Sequence, residues 1–364
     1  MTRDLAVVAV ANVFIVGAGF GVLRAAGIRP ALTDLTWTLG VGYLLGVAAV
    51  GVLGSALLVA GLALSWWQIL LLCACVFAAG LLRRDGNRPP PGARRSGWVW
   101  ALPAVALLAG AILAVDFAAQ PLWTDDAWSI WAVKAHSIVE LDGLNAAFLS
   151  SASLISADYP LLVPVLELVP LRFAGLPSEL IPLQLGLAFL ALPAALVALM
   201  RDRVPALTLW LVALAIVLAP TLQVQAASAV ADVTLATFFA LAGVAGWRWV
   251  EAGESAMLWL GGCFAAAAVA TKFEGRAFVA LLFLALVAAA MRRGRSVRNL
   301  VWVALAVTAS ALPWQLWSRA HGIGNAYSEA GGVRAAELPD TVVGFPGRRS
   351  RSPARSPTRP RGSR

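Results

Sequence analysis

Between Gln120 and Leu162 the chain carries the adjacent carboxylates Asp125 and Asp126, then Lys134 and His136, and finally Asp158-Tyr159-Pro160. Further along stand Asp232 in Ala-Val-Ala-Asp-Val-Thr and the turn Thr271-Lys-Phe-Glu-Gly275, which supplies Lys272 and Glu274. A carboxylate within hydrogen-bond reach of a hydroxyl can take its proton as the oxygen attacks, while fixed cations or a metal ion stabilise an anionic leaving group. If residues 125–139 are helical, Asp125, Ser129 and His136 fall within roughly 40° of one another, beside an apolar stripe of Trp128, Trp131, Ala135 and Val139. This spacing predicts a helix lying on a membrane surface with its carboxylate turned to an enclosed site; an ordinary interfacial helix with its acids in water fits the same pattern. Lys272 and Glu274 likewise read either as site residues or as a simple pair that snorkels to the interface.

The elements that must hold these groups are membrane helices. Of 364 residues, 60% are hydrophobic and 13% charged, with a mean hydropathy of +0.81, which excludes a soluble fold. Apolar runs at roughly 5–23, 35–62, 64–82, 98–118, 179–200, 204–222, 229–250, 256–271, 276–291 and 299–317 predict an all-α, polytopic transmembrane bundle of about ten full spans. The segment 160–174 holds three prolines and Glu167 in about fifteen residues, too short and too broken for a span. It is expected to enter and return, surrounded by protein or a wet cavity. If it crossed instead, every later loop would invert. With the re-entrant path, the Arg-rich loops at 83–95, 201–203 and 292–298 fall inside by the positive-inside rule. Asp125, Asp126, Asp158, Asp232, Lys272 and Glu274 then share the outer face, where ionisable groups at the bilayer edge default to functional hypotheses.

The formal charge of +9 is concentrated. Seven Arg fall in residues 348–364, leaving +2 (9 − 7) for the rest, so the basic balance does not imply a nucleic-acid partner. The 346–364 tail, rich in Arg, Pro and Ser, is expected to be disordered and reads as a frameshifted or otherwise aberrant end. Lysines number only two, Lys134 and Lys272, and histidines only two, His136 and His321. This Arg- and Ala-heavy, Lys-poor composition suggests GC-rich coding and a bacterial source. Cys73, Cys75 and Cys263 lie in apolar runs without a Cys-x-x-Cys pair and read as small packing residues. Trp37, Trp66, Trp67, Trp98, Trp100, Trp247, Trp249, Trp314 and Trp317 lie near span ends, where interface anchoring accounts for them. Pro89-Pro-Pro91 marks a stiff connector. The chain therefore divides into an N-terminal three-span module (1–97), a core (98–320), an outer segment (321–345) and the tail (346–364).

Paired acids near the start of a first large outer loop, a Tyr-Pro-Leu-Leu entry at 159–162, an Ala-Asp at a later span start and a Thr-Lys-x-Glu-Gly turn together resemble integral membrane glycosyltransferases of the C-type fold. That superfamily includes protein O-mannosyltransferases and lipid A aminoarabinose transferases. The resemblance covers roughly residues 98–320 and rests on order and common face rather than on one motif. It implies transfer of a sugar from a polyprenyl-phosphate-linked donor to a lipid, glycan or protein hydroxyl, with inversion, at the outer face of a bacterial cytoplasmic membrane. The family's acidic loop motif maps onto Asp125 as base and Asp126 as its helper. Lys134 or Lys272 would contact the donor phosphate, with His136, Asp158, Tyr159, Asp232 and Glu274 shaping the sugar and acceptor site. Some relatives use a divalent metal ion, but no ligand set is evident in this sequence. The chain departs from the family in carrying Asp-Asp where many relatives have Asp-Glu, in having three spans before the loop rather than one, and in stopping early, like a C-terminally truncated member. Two other classes remain open: a polytopic transporter or lipid flippase, whose ionisable groups would sit near the bilayer midplane, and an inactive fragment.

Overall fold

A computed structural model describes residues 2–82, 101–151, 154, 156–175 and 180–324. The Arg83–Arg95 loop with its triple proline, nearly all of the 321–345 segment and the 346–364 tail lie outside the described residues. Residues up to 325 form one compact unit. Its helices are α1 (Thr2–Ala25), α2 (Tyr43–Val59, entered through a π turn at Thr36–Gly42), α3 (Trp66–Leu82), α4 (Ala101–Ala119), α5 (Val133–Glu140, entered through a π turn at Ala127–Ala132), α6 (Ala146–Leu149), α7 (Leu162–Ala174), α8 (Ile181–Met200), α9 (Ala206–Leu218), α10 (Pro220–Ala227), α11 (Ala231–Ala252), α12 (Ser255–Thr271), α13 (Phe273–Arg292) and α14 (Arg298–Ala320). No β-strand occurs among the described residues.

Each of the ten apolar runs coincides with a helix. Seven of these are long and apolar enough to cross a membrane, and an eighth span results if α9 and α10, bent by 54° where Pro220 interrupts them, are counted as one. The 17-residue α3 and α12 fall below that length. A multi-pass helical membrane bundle is therefore the architecture.

Without a hydrophobic drive between helices in lipid, close approach depends on small residues. Gly19 of α1 sits against the Gly42 carbonyl and Gly46 of α2 against the Ile15 carbonyl, so closely that a Cβ at either glycine would overlap backbone. Gly80 of α3 meets the Gly21 carbonyl of α1 in the same way. A polar knot reinforces this packing. Tyr43 Oη donates to Asn12 Oδ1 at 2.8 Å, and Asn12 Nδ2 donates to Gln184 Oε1 at 2.9 Å, tying α1, α2 and α8. The first three helices thus pack directly on the core helices.

Charge sorts the two ends of the bundle. At one end Arg201 pairs with Asp34 at 2.7 Å, and the fully buried Arg248 grips Asp202 at 2.6 and 3.0 Å and bonds the Leu199 carbonyl. The loop 120–161, the start of α11, the α12–α13 turn and the end of α14 gather at the other end, called here the loop end. The 13-residue α7 rises only about 20 Å, short of the ~30 Å core. Its residues Leu162–Leu171 are all buried. Arg172, near its C-terminus, bonds the Ala63 carbonyl of the α2–α3 turn and the Ile138 carbonyl of α5, so both ends of α7 are tied to the loop end.

Candidate functional site at the loop end

The loop after α4 folds from its side-chain anchors. Thr124 Oγ1 donates to the Ser228 carbonyl at 3.1 Å and accepts from the Ala127 amide, which caps the helix that follows. Trp128 Nε1 closes the segment on the Leu122 carbonyl at 2.8 Å. The next residues, Ala127–Ala132, are π-helical. Bonds from i to i+5 place more residues in each turn, so the phase expected for a regular helix over 125–139 fails beyond this point. Asp125 and Asp126, which precede the π turn, are exposed, with no side-chain bond to another described residue, rather than turned into an enclosed site. Lys134 faces inward instead, with Trp131, Ala135 and Ile138. His136 lies on the other face, half-buried and stacked on Trp128 at 6.1 Å. Burial lowers its pKa below the usual histidine value, against the opposing charge of Glu140.

Lys134 is 1% exposed. Its Nζ donates to the Ser156 carbonyl at 2.8 Å and the Tyr159 carbonyl at 3.2 Å, so one side chain clasps the turn that presents Asp158 and Tyr159. Ser156 holds φ at +53°, a left-handed conformation unfavourable for a residue with a Cβ, and the clasp sustains it. Tyr159 stacks on Trp131 at 5.5 Å and meets Phe273 edge-on at 5.1 Å. Trp314 Nε1 of α14 donates to the Asp158 carbonyl at 2.8 Å. The Asp158 Oδ1 atom is buried without a hydrogen-bond partner among the described residues. Its pKa is raised because burial outweighs the charges of Lys134 and Arg276. Burial, then the charge of Glu274, raises that of Tyr159.

Lys272 follows α12 in extended backbone and reaches Asp232 Oδ1 at 3.0 Å and Glu274 Oε1 at 3.8 Å, with its ammonium 5.9 Å from the Tyr159 ring. Burial disfavours the charge, but the bond to Asp232 and the acidic neighbours prevail and hold its pKa above the usual value. Of the residues singled out by sequence, Lys134, Asp158, Tyr159, Asp232, Lys272 and Glu274 therefore form one connected cluster. Asp125 and Asp126 are not joined to it by any side-chain contact among the described residues, although the adjacent Thr124 bonds the Ser228 carbonyl, and His136 stands apart.

Beside this cluster a narrow crevice of about 20 Å³ lies between α2, α12, α13 and α14. Val52, Ala56, Leu161 and Val269 give it apolar walls; Ser55, Ser310, Trp314 and Arg276 add polar groups. The Arg276 guanidinium lies over the Phe273 ring at 4.4 Å, and its Nε is buried without a partner among the described residues. Sequence reasoning passed over Arg276, although it directly follows the turn already singled out. It also used Glu167 only as an argument against a span. Glu167 is 0% exposed, and neither carboxylate oxygen has a hydrogen-bond partner among the described residues. No cluster of three His, Cys, Asp or Glu suited to a metal ion occurs among the described residues.

No protein-family model, curated protein or solved structure matches this chain. The chemistry must therefore be argued from the cluster and the cleft.

Proposed function

We propose that the chain is a membrane glycosyltransferase that moves a sugar from a polyprenyl-phosphate-linked donor to a hydroxyl acceptor, with inversion. On this reading all ten apolar helices cross a bacterial cytoplasmic membrane, α7 is re-entrant, the Arg-rich end is cytoplasmic and the loop end lies outside. The observation that carries the proposal is the apolar cleft with Arg276 on its wall and the Asp158 carboxylate beside it. The lining is apolar, like the chain of a lipid-linked donor, and a guanidinium presents planar donors that match a phosphate. The donor phosphate, first assigned to Lys134 or Lys272, is better assigned to Arg276. Lys134 is already committed to two carbonyls and Lys272 to two carboxylates, whereas Arg276 has a donor to spare.

Tyr159 and Trp314 supply the rigid aromatic surfaces beside the phosphate, and Asp232 and Glu274 the hydrogen-bond acceptors for sugar hydroxyls. Asp125 takes the acceptor's proton as its oxygen attacks the anomeric carbon, with Asp126 beside it. Their exposure leaves the pair open to an acceptor arriving from outside, which must bring its hydroxyl within hydrogen-bond reach. Arg276 offsets charge developing on the leaving phosphate. Membranes containing the chain should transfer radiolabel from a polyprenyl-phosphate sugar to lipid or glycan acceptors. Transfer that is absent, or unchanged in an Asp125→Asn/Asp126→Asn double variant, would reject this assignment.

A transporter reading draws on a different observation. Glu167 and Lys134 are ionisable residues buried in and beside a short, Pro-containing helix, as in sites where ions pass through a membrane. Movement of donor lipid or protons in proteoliposomes without sugar transfer would favour it.

A further inference from the structure

The environment of Lys134 counts its protons. A lysine ammonium carries three N–H donors and a neutral amine two. Lys134 has two acceptors, the Ser156 and Tyr159 carbonyls, and no carboxylate at ion-pair distance among the described residues. Its remaining surroundings are the Trp131 and Tyr159 rings, with centroids 5.8 and 5.9 Å from Nζ. The neighbouring Glu167 is wholly buried and receives no hydrogen bond from a described residue, so the cost of burying it as an anion is opposed only by the charge of Lys134.

We propose that Lys134 is a buried proton-binding site: a neutral amine at rest that takes up one proton from the loop end, beside a Glu167 that stays a neutral acid. The uptake is a simple protonation of the amine lone pair. Both hydrogen bonds survive it, so loading changes charge without dismantling the 156–159 turn. Burial supports the assignment, since it lowers the Lys134 pKa from 10.5 to about 7 even when Asp158 and a charged Glu167 both oppose it; a neutral Glu167 removes part of that opposition.

The charged groups facing the pair are few. Glu167 faces Lys134 from α7, and Asp158 faces it from the 156–159 turn, which also presents the Tyr159 phenol. The π turn Ala127–Ala132 carries no charge. Helices α2, α3, α8 and α12, which pack on α7, contain no charged residue, their titratable groups being Tyr43, Cys73, Cys75 and Cys263; Arg3, Asp4 and Arg24 lie at the ends of α1. Arg172 is committed to Ala63, Ile138 and Asp142. The loaded cation is thus balanced mainly by Asp158, which also faces Arg276. If the cleft takes a phosphate as proposed above, loading adds a positive charge near it and tightens anion binding at acidic pH.

The chain has only two lysines, which makes the test direct. [ε-¹³C]Lysine would be incorporated into the full chain, purified in detergent micelles and titrated by NMR; Lys272→Arg leaves Lys134 as the one labelled residue. In the unsubstituted chain the same signal stands beside the high-titrating Lys272. The expected midpoint is about 7 or lower, because a neutral Glu167 withdraws one of the two charges that oppose the effect of burial. Glu167→Gln should leave it within about half a unit, because a neutral acid is replaced by a neutral amide. A midpoint near the ordinary lysine value of ~10.4 would overturn the proposal. So would a fall of more than about one unit in the Glu167→Gln variant, which would reveal an anionic Glu167 paired with a permanent ammonium. Neither readout requires sugar transfer, so this site and the proposed activity fail independently.

Discussion

Arg248→Leu should weaken the bundle at the end opposite the proposed site. Arg248 is 0% exposed, with a two-pronged pair to Asp202, a bond to the Leu199 carbonyl and a longer contact to Glu254 at 3.5 Å. Leucine keeps the apolar stem but leaves the carbonyl and both carboxylates without the guanidinium. Removing one partner of a buried ion pair costs about 3–5 kcal/mol. Asp202 and Glu254 retain 24% and 33% side-chain exposure, so water recovers part of that loss. The expected destabilisation is therefore about 2–4 kcal/mol, and Arg248→Lys, which keeps charge without the fork, should recover about 1 kcal/mol of it. Unfolding in mixed micelles by SDS titration, followed by helicity, measures this difference. An Arg248→Leu variant within about 0.5 kcal/mol of wild type would refute the idea that this buried guanidinium holds α8, α11 and α12 together.

Three further outcomes follow from the same contacts. Lys134 is depressed in the folded chain, so between about 7 and the ordinary 10.5 the unfolded chain binds more protons and stability should rise with pH, by up to about 1.4 kcal/mol per unit. Lys134→Met should abolish this rise in thermal unfolding scans, whereas Asp158, whose raised carboxyl makes stability fall with increasing pH above the ordinary 3.8, acts in a separate, more acidic window; identical alkaline profiles for wild type and variant would count against a buried neutral amine. Gly46→Val places a side chain against the Ile15 carbonyl and should cost about 1–3 kcal/mol or prevent folding, while Gly110→Ala in α4, with open space around it, should be neutral or slightly stabilising by SDS titration. Lys134→Met should also raise the protease sensitivity of the 156–159 turn, because the clasp on Ser156 and Tyr159 is lost, and an unchanged digestion pattern would show that the turn holds itself.

Helix positions were legible because a lipid-facing helix must keep an apolar stretch of near-fixed length, and that requirement leaves its mark in Val, Leu and Ala. The shortness of α7 was legible for the same reason, from its apolar length and prolines. Side-chain direction was not. The π turn at Ala127–Ala132 has no sequence signature, so the phase that placed Asp125, Ser129 and His136 on one face broke before Lys134. Lys272, Asp232 and Glu274 could be grouped because each lies beside a helix end at one face, where topology alone brings them together. Arg276 is not distinguished by sequence from any arginine one turn into a span; only the crevice and its unpartnered Nε mark it. Arg248 and Asp202 were similarly illegible, since their pairing joins helices 46 residues apart in sequence.

The central claim is that the cleft beside Asp158 seats a lipid-linked phosphate on Arg276. Its most direct test is the donor dependence of sugar transfer by wild type and Arg276→Gln in purified proteoliposomes. Loss of a charge-assisted hydrogen bond worth about 1.5–3 kcal/mol predicts a donor KM raised roughly 10- to 100-fold, with acceptor KM little changed. An unchanged donor KM in Arg276→Gln, or no transfer by the wild-type chain, would contradict the account.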